Sequence, residues 1–143
     1  MPSIVETLNI IKDEFSVFSD PRDKYVFLVD LAKDLEGLDD QEKNEINRIH
    51  GCTSQAWVTR KINGEKYFFR TDSDAMIVRG LLSLIERSFN NHTKEEILEI
   101  DGSQFLDSVG LGRSISSQRT NGFSNAISKI QSDLNWAPEI SFE

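Results

Sequence analysis

"AWVTRKINGEKYFFR", residues 56–70, is the stretch of the sequence that decides the fold. It contains two runs rich in β-branched and aromatic residues, and the dipeptide Asn63-Gly64 separates them. Asn-Gly between two such runs is a strong short-range signal for a β-hairpin. Alternation along the strands turns their basic residues towards solvent: Arg60, Lys61, Lys66 and Arg70. The stretch therefore predicts an antiparallel hairpin.

Upstream of the hairpin, the spacing of apolar residues changes from a period of two to a helical period. Ser3 and Glu6 form a capping box, which predicts a helix over residues 3–15. Asp20, followed by proline, predicts the start of a second helix that ends near Gly37. The predicted buried stripe of this second helix is Tyr25, Leu28, Ala32 and Leu35.

Downstream of the hairpin, helical spacing returns over residues 73–89, and Asp72 or Ser73 is the candidate cap. The predicted apolar face of this helix is Met76, Ile77, Leu81, Leu84, Ile85 and Phe89. A second capping box predicts a short helix over residues 93–100, and a long last helix begins near Ser117. The predicted stripe of the last helix is Phe123, Ala126, Ile127, Ile130 and Leu134.

The polar segment 39–50 leaves two alternatives open. It is either a loop with a helical turn or a loop that ends in a short strand at Ile46–Ile49. Residues 135–143 contain a proline that bars a helix, and they are expected to form a tail. The whole order predicts one domain over residues 1–143, of the α+β class, with a small antiparallel β-sheet covered by several α-helices.

The net charge of the chain is −8, from 24 acidic and 16 basic residues. This balance argues against general nucleic-acid binding, which needs a positively charged face for the phosphates. No apolar run approaches the roughly 20 residues that span a membrane. The amino-terminal residues lack the basic and apolar regions of a signal peptide. No membrane association and a cytoplasmic location are therefore expected.

Cys52 is the only cysteine in the chain. One cysteine excludes an intramolecular disulfide, and it excludes a zinc ribbon or a cysteine-ligated iron–sulfur cluster held by this chain alone, because those sites need three or four ligands. The chain has two histidines, His50 and His92, so a permanent metal site is not expected.

The surroundings of Cys52 leave its role open between two interpretations. Free cysteines are usually buried and behave as small hydrophobic residues. Here, however, Gly51 precedes the cysteine, polar Thr53 and Ser54 follow it, and it lies outside the apolar stripes. A loop position at the entrance to a strand also suits a thiol that reacts with another molecule.

Other polar residues could support such a thiol. His50 and Arg119 are candidate cations that would lower its pKa. Arg119 opens the last helix, where a cation opposes the helix dipole, so it is expected to act on something outside that helix. Asp74 is expected in the first turn of the third helix. Gly122 lies within the last helix and is expected to permit close packing of another segment.

Three segments together resemble the SufE family of sulfur acceptors. "GCTSQAWV" is similar to its G-C-x-S-x-x-W motif, and "DSDAMIVRGLL" to its D-S-D-x-x-I-V-x-G-L segment. "LGRSISSQRTNGFSNAISKI" is similar to a third, arginine-containing region of the family. The resemblance extends over roughly residues 3–134. It implies a SufE/IscU-like fold, shared with iron–sulfur scaffolds, although one cysteine fits the acceptor and not the scaffold.

The resemblance implies a sulfur relay in iron–sulfur cluster assembly. Cys52 would accept persulfide sulfur from a pyridoxal-phosphate cysteine desulfurase of the SufS or CsdA type. The protein would stimulate that enzyme and pass the sulfur to a SufBCD-like scaffold, with no cofactor of its own. The active-site loop and partner-binding residues that the motifs imply are Gly51, Ser54, Gln55, Asp74 and Arg119. His50 departs from the family pattern, so its role stays open.

Two alternatives remain beside the relay. The chain could be a regulatory module that binds a desulfurase without carrying sulfur. It could also be a thiol hydrolase that uses Cys52 and His50, although no third partner for such a pair is recognisable.

Overall fold

The computed structural model describes residues 2–136, so residues 137–143 of the predicted tail lie outside the described residues. The elements are α1 (Ile4–Ser16), α2 (Pro21–Asp34), β1 (Ala56–Asn63), β2 (Lys66–Ser73), α3 (Met76–Phe89), β3 (His92–Thr93), α4 (Lys94–Leu98), α5 (Phe105–Ser108) and α6 (Ser117–Trp136). A small antiparallel sheet with helices around it confirms the predicted α+β class. Because α6 runs to Trp136, residues 135 and 136 are helical and are not part of a tail.

The predicted hairpin is present, with its turn one residue later than the Asn-Gly pair. Asn63 pairs with Lys66, so Gly64 and Glu65 are the two turn residues. Gly64 has a φ of 66°, whereas Glu65 is not among the residues with positive φ. A positive φ at only the first turn residue is typical of a type II′ turn, which favours glycine there.

The third strand of the sheet is not the one that segment 39–50 offered. β3 lies beside β2 and pairs His92 with Tyr67. Residues 46–49 approach the other side of the sheet, where Arg48 forms a single antiparallel bridge with Trp57. Segment 39–50 is therefore a loop without a strand of its own, and the single bridge near its end holds the chain against β1.

Both predicted capping boxes are confirmed. The Ser3 hydroxyl accepts from the Glu6 amide at 3.1 Å and the Glu6 carboxylate accepts from the Ser3 amide, and Thr93 and Glu96 repeat the arrangement. The stripe of α2 is correct for Leu28 and Ala32 but wrong for Tyr25, which is 37% exposed. Tyr25 lies outside the core because its ring faces an arginine of α6 instead.

Asp72 does not cap α3, and that prediction is wrong. It is the second-to-last residue of β2, where its carboxylate accepts hydrogen bonds from the Leu38 and Ser73 amides at 2.9 and 2.8 Å. Arg79 and Lys43 each lie 3.4 Å from it. Burial disfavours its charge, but the two amides and two cations outweigh burial and hold the pKa of Asp72 below its usual range. α3 itself begins without a side-chain cap.

The core joins the sheet to the helices through a chain of aromatic rings. Phe69 of β2 contacts Phe89 of α3, which contacts Phe105 of α5, which contacts Phe123 of α6, at centroid distances of 6.4, 6.1 and 5.0 Å. The predicted stripe of α6 is confirmed, since all five of its residues are buried. The predicted face of α3 is buried except for Met76, which is 39% exposed at the first turn. This core fixes α6 beside the loop that precedes β1.

Candidate functional site

Cys52 lies on an irregular loop, residues 51–55, that leads into β1. The loop begins at Gly51, whose φ of 85° is a conformation that glycine adopts without strain. A Cβ at this position would overlap the side-chain amide of Asn125 on α6. The same amide donates a hydrogen bond to the Gly51 carbonyl at 3.3 Å. Gly51 and Asn125 therefore fix the start of the loop against α6.

The end of the loop is tied to the turn between β2 and α3. Asp74 accepts a hydrogen bond from the Gln55 amide at 3.2 Å, and its own amide donates to the Gln55 carbonyl at 3.2 Å. The Ser73 hydroxyl donates to the same carbonyl at 2.7 Å. Asp74 precedes α3 and does not lie in its first turn as predicted. From this position it holds the carboxyl end of the Cys52 loop.

Between these two anchors, the Cys52 side chain lies against the first turns of α6. Its Sγ is 3.5 Å from the Gly122 carbonyl oxygen. A Cβ at position 122 would come within 3.0 Å of Sγ, closer than carbon and sulfur normally approach. The expectation that Gly122 permits close packing of another segment is therefore confirmed, and that segment is the Cys52 loop.

The thiol borders a cleft of about 340 Å³, measured with its open mouth. The residues that line the cleft are Cys52, Thr53, Ser54, Val78, Leu81, Leu82, Gln118, Arg119, Gly122 and Phe123. Most of these surfaces are apolar, and burial raises the pKa of the Cys52 thiol. Cys52 is half-buried, and the raised pKa favours the protonated thiol, which resists oxidation better than the thiolate but is slower as a nucleophile.

Replacing Gly122 by alanine is expected to make Cys52 more reactive without destabilising the fold. The added methyl would push Sγ out of the cleft, where solvent returns its pKa towards the ordinary value. Alanine also favours a helix by about 1 kcal/mol relative to glycine. The measurement is the rate of alkylation by iodoacetamide as a function of pH. We expect the inflection of Gly122→Ala at lower pH than that of the wild type, and a rate at neutral pH that is several-fold higher.

Asn121→Ala provides the matched control, because Asn121 is an exposed neighbour on the same helix. It should gain helix propensity and leave the alkylation profile unchanged. An unchanged inflection in Gly122→Ala would mean that α6 does not confine the thiol.

Arg119 lies at the rim of the cleft, in the first turn of α6. Its guanidinium is 5.7 Å from the centroid of the Tyr25 ring on α2, a cation–π distance. Within residues 2–136, no carboxylate forms an ion pair with it. The prediction that Arg119 acts outside its own helix agrees with this placement, and its charge remains available at the rim.

His50 does not line the Cys52 cleft. Its Nε2 is 3.1 Å from the Glu45 carboxylate, and both side chains are largely exposed. The structure thus directs the His50 ring to a neighbouring pocket on the other side of Gly51. This contact gives no support to a cysteine–histidine pair for hydrolysis.

Several residues of the site were not predicted from the sequence. Val78 and Leu82 flank the predicted stripe of α3, and their spacing with Leu81 could have indicated a second apolar surface on that helix. Tyr25 was assigned to the core. Asn125 lies 74 positions from its partner Gly51, and no local pattern marks such a contact.

Neither a membrane span nor a metal cluster is present in the described residues. Residues 2–136 contain no helix that is both long and apolar enough to cross a membrane. The same part of the chain contains no cluster of three or more histidine, cysteine, aspartate or glutamate side chains with the geometry of a metal site.

A family model described as "SufE: Fe-S metabolism associated domain" matches residues 9–134, which is most of the chain. The chain belongs to the SufE family. Family membership gives the protein a sulfur-transfer role in iron–sulfur metabolism. The matched range contains the whole Cys52 loop and both elements that anchor it.

Curated SufE-like proteins from bacteria support the assignment. An uncharacterized SufE-like protein of Rhizobium etli is 30% identical over 131 residues, covering 89% of this chain and 88% of the relative. One from Rhizobium meliloti is 31% identical over 131 residues, with 89% and 94% covered. One from Synechocystis is 33% identical over 121 residues, with 85% and 76% covered.

The SufE-family fold also has a solved counterpart. The solution structure of a hypothetical protein from Thermus thermophilus superimposes with a TM-score of 0.75. The match covers 93% of this chain and 96% of that one at 18% identity. The likeness confirms the arrangement of the helices and the sheet.

Proposed function

We propose that the protein accepts sulfur on Cys52 from a pyridoxal-phosphate cysteine desulfurase, holds it as a persulfide, and delivers it to an iron–sulfur scaffold. The observation that carries this proposal is the position of the only cysteine: on a loop anchored at both ends, beside an apolar cleft. By draining the donor's persulfide, the protein also stimulates the desulfurase.

The transfer needs no cofactor on this chain. The Cys52 thiolate attacks the outer sulfur of the donor's persulfide, and a new sulfur–sulfur bond forms on Cys52. The sulfur–sulfur bond of the donor breaks, and the donor cysteine leaves as a thiolate with the bonding electrons. The proton of the Cys52 thiol passes to solvent or to a base of the partner. The step follows the rules of thiol–disulfide exchange, so the attacking thiol works best when its pKa is near ambient pH.

The partial burial of Cys52 requires that the thiol moves before it reacts. A thiol with a raised pKa is a poor nucleophile at neutral pH, so Cys52 has to leave the cleft before it attacks. The loop is suited to such a movement because its fixed points, Gly51 and Gln55, lie on either side of the thiol. After transfer, the apolar cleft would shield the persulfide from oxidants and water.

The desulfurase is proposed to dock on the surface that contains the cleft and its rim. Arg119 brings to that surface a cation with no carboxylate partner among residues 2–136, and Asp74 holds the loop that the partner engages. A free thiol of this kind suits a reducing compartment such as the cytoplasm. The single cysteine also prevents the persulfide from resolving into an internal disulfide.

The proposal is tested by desulfurase turnover. Cysteine is supplied to a SufS-type or a CsdA-type desulfurase, and alanine formation is measured with and without this protein. One of the two enzymes is expected to turn over several-fold faster with it, and that enzyme is the partner. Lys66→Ala should stimulate as well as the wild type, because Lys66 is exposed beside the hairpin turn and lines neither the cleft nor the pocket around His50. No increase with either enzyme would contradict the proposed function.

A further inference from the structure

A second pocket lies on the other side of Gly51 from the cleft. It is an open depression in the surface, with a volume of about 730 Å³ that includes the solvent space at its mouth. Its walls are Glu45, Arg48, His50, Gly51, Asn125 and Lys129, which we call the basic pocket. Of their side chains, the proposed function uses only the Asn125 amide, which holds the Gly51 carbonyl.

The charge of the basic pocket differs from that of the chain. The chain carries 24 acidic and 16 basic residues, whereas the pocket walls hold Arg48, Lys129 and His50 beside one carboxylate, that of Glu45, which lies 3.1 Å from His50. Lys129 is already engaged, at 2.9 Å from the Ile46 carbonyl and 3.1 Å from the Asp133 carboxylate of its own helix. Arg48 has no ion pair or side-chain hydrogen bond within the described part of the chain, so its guanidinium is free to bind.

The pocket adjoins the thiol through the backbone. Gly51 belongs to its wall and is the residue immediately before Cys52, so the two Cα atoms are about 3.8 Å apart. A stable protein interface covers about 800 Å² on each partner. A protein that reaches Cys52 with an interface of that size also covers the basic pocket. A side chain of that protein in the basic pocket would contact the Arg48 guanidinium, the Lys129 ammonium group and the Asn125 amide.

We infer that the basic pocket receives an acidic side chain, aspartate or glutamate, from the protein that donates sulfur to Cys52. Carboxylates are the groups that a guanidinium binds through paired hydrogen bonds. The inference rests on the proposed function for the identity of the partner. Arg48 is the residue that recognises the carboxylate, and Lys129 and Asn125 complete the contact.

The test measures binding and not transfer, so that the two proposals fail separately. In a Cys52→Ser background, which carries no sulfur, the affinities for the SufS-type and the CsdA-type desulfurase holoenzymes are measured by fluorescence anisotropy, and the variants are compared on the enzyme that binds more tightly. Arg48→Glu is expected to weaken binding by about tenfold, with most of the loss removed at high salt. Arg48→Lys should keep most of the affinity, and Arg48→Gln, which avoids a new charge, should lose about threefold.

Lys66→Glu is the matched control for the change in net charge. Lys66 is exposed and pairs with Asn63, which lies seven residues along β1 from Ala56, or about 23 Å. It should change the affinity by less than about twofold. Thermal unfolding and the alkylation rate of Cys52 are measured without the desulfurase in the Arg48→Glu single variant, which retains Cys52, and should equal those of the wild type.

Three results would overturn the inference: Arg48→Glu binds as tightly as its parent, Lys66→Glu loses as much affinity, or Arg48→Glu disrupts self-association instead of desulfurase binding. If binding depends on Arg48 while the wild type accepts no sulfur, the pocket is supported and the relay is rejected. If the wild type accepts sulfur and Arg48→Glu binds normally, the relay stands and the pocket has no part in docking.

Discussion

Cys52→Ser is expected to abolish the increase in desulfurase turnover while leaving binding to the desulfurase intact. Serine has nearly the size of cysteine and fits beside Gly122, so the loop and its anchors should keep their positions. Its hydroxyl does not ionise near neutral pH and does not accept a sulfur atom. The measurement is alanine formation at saturating cysteine, with anisotropy as the readout for binding.

Lys61→Ala is the control for Cys52→Ser, because Lys61 is exposed on the hairpin and does not line the cleft. It should stimulate the enzyme nearly as well as the wild type. If Cys52→Ser stimulated as well as the wild type, the protein would be a regulatory module that acts by binding, and the relay would be wrong.

Gly80→Ala is expected to lower the free energy of unfolding by about 2 kcal/mol, the upper end of an overpacking cost less the gain in helix propensity. A Cβ at Gly80 would overlap the carbonyl oxygen of Leu28, where α3 crosses α2. Overpacking a tight core costs about 1–3 kcal/mol, and a clash with backbone is harder to relieve than one with a flexible side chain. The gain in helix propensity, about 1 kcal/mol, offsets only part of the cost.

Chemical denaturation of Gly80→Ala and Gly64→Ala measures this difference. Gly64 has open space around its Cβ position but a positive φ, so its substitution should cost only about 1 kcal/mol. A loss in Gly80→Ala no larger than in Gly64→Ala would mean that α2 shifts freely and that the helix pair is not tightly packed.

The fold was predictable wherever the signal is local. The hairpin, the two capping boxes and the stripe of α6 follow from spacing within a few residues, and the structure confirms them. Asp72 was assigned wrongly because its true partners are Leu38, Lys43 and Arg79, and its distance from Leu38 in sequence is 34 positions. From the sequence alone, a carboxylate just before a helix is interpreted as a helix cap, because its distant partners are not visible in the local pattern.

The residues of the site also divide into those that local sequence predicts and those that only the packed fold brings together. Gly51, Cys52 and Gln55 are parts of one short loop, so the sequence indicated them together. Asn125 and Tyr25 reach the site only after α6 and α2 have packed, and no pattern in the sequence marks them. Arg119 was an informative exception, since an arginine in the first turn of a helix opposes the dipole and so suggested a contact elsewhere.

The most direct test of the relay is the intact mass of the wild-type protein after incubation with the desulfurase and cysteine. We expect an added mass of one sulfur atom, located on the peptide that contains Cys52 and removed by a reducing agent. A protein that stimulates the desulfurase but gains no sulfur, or that carries it on a residue other than Cys52, would contradict the relay.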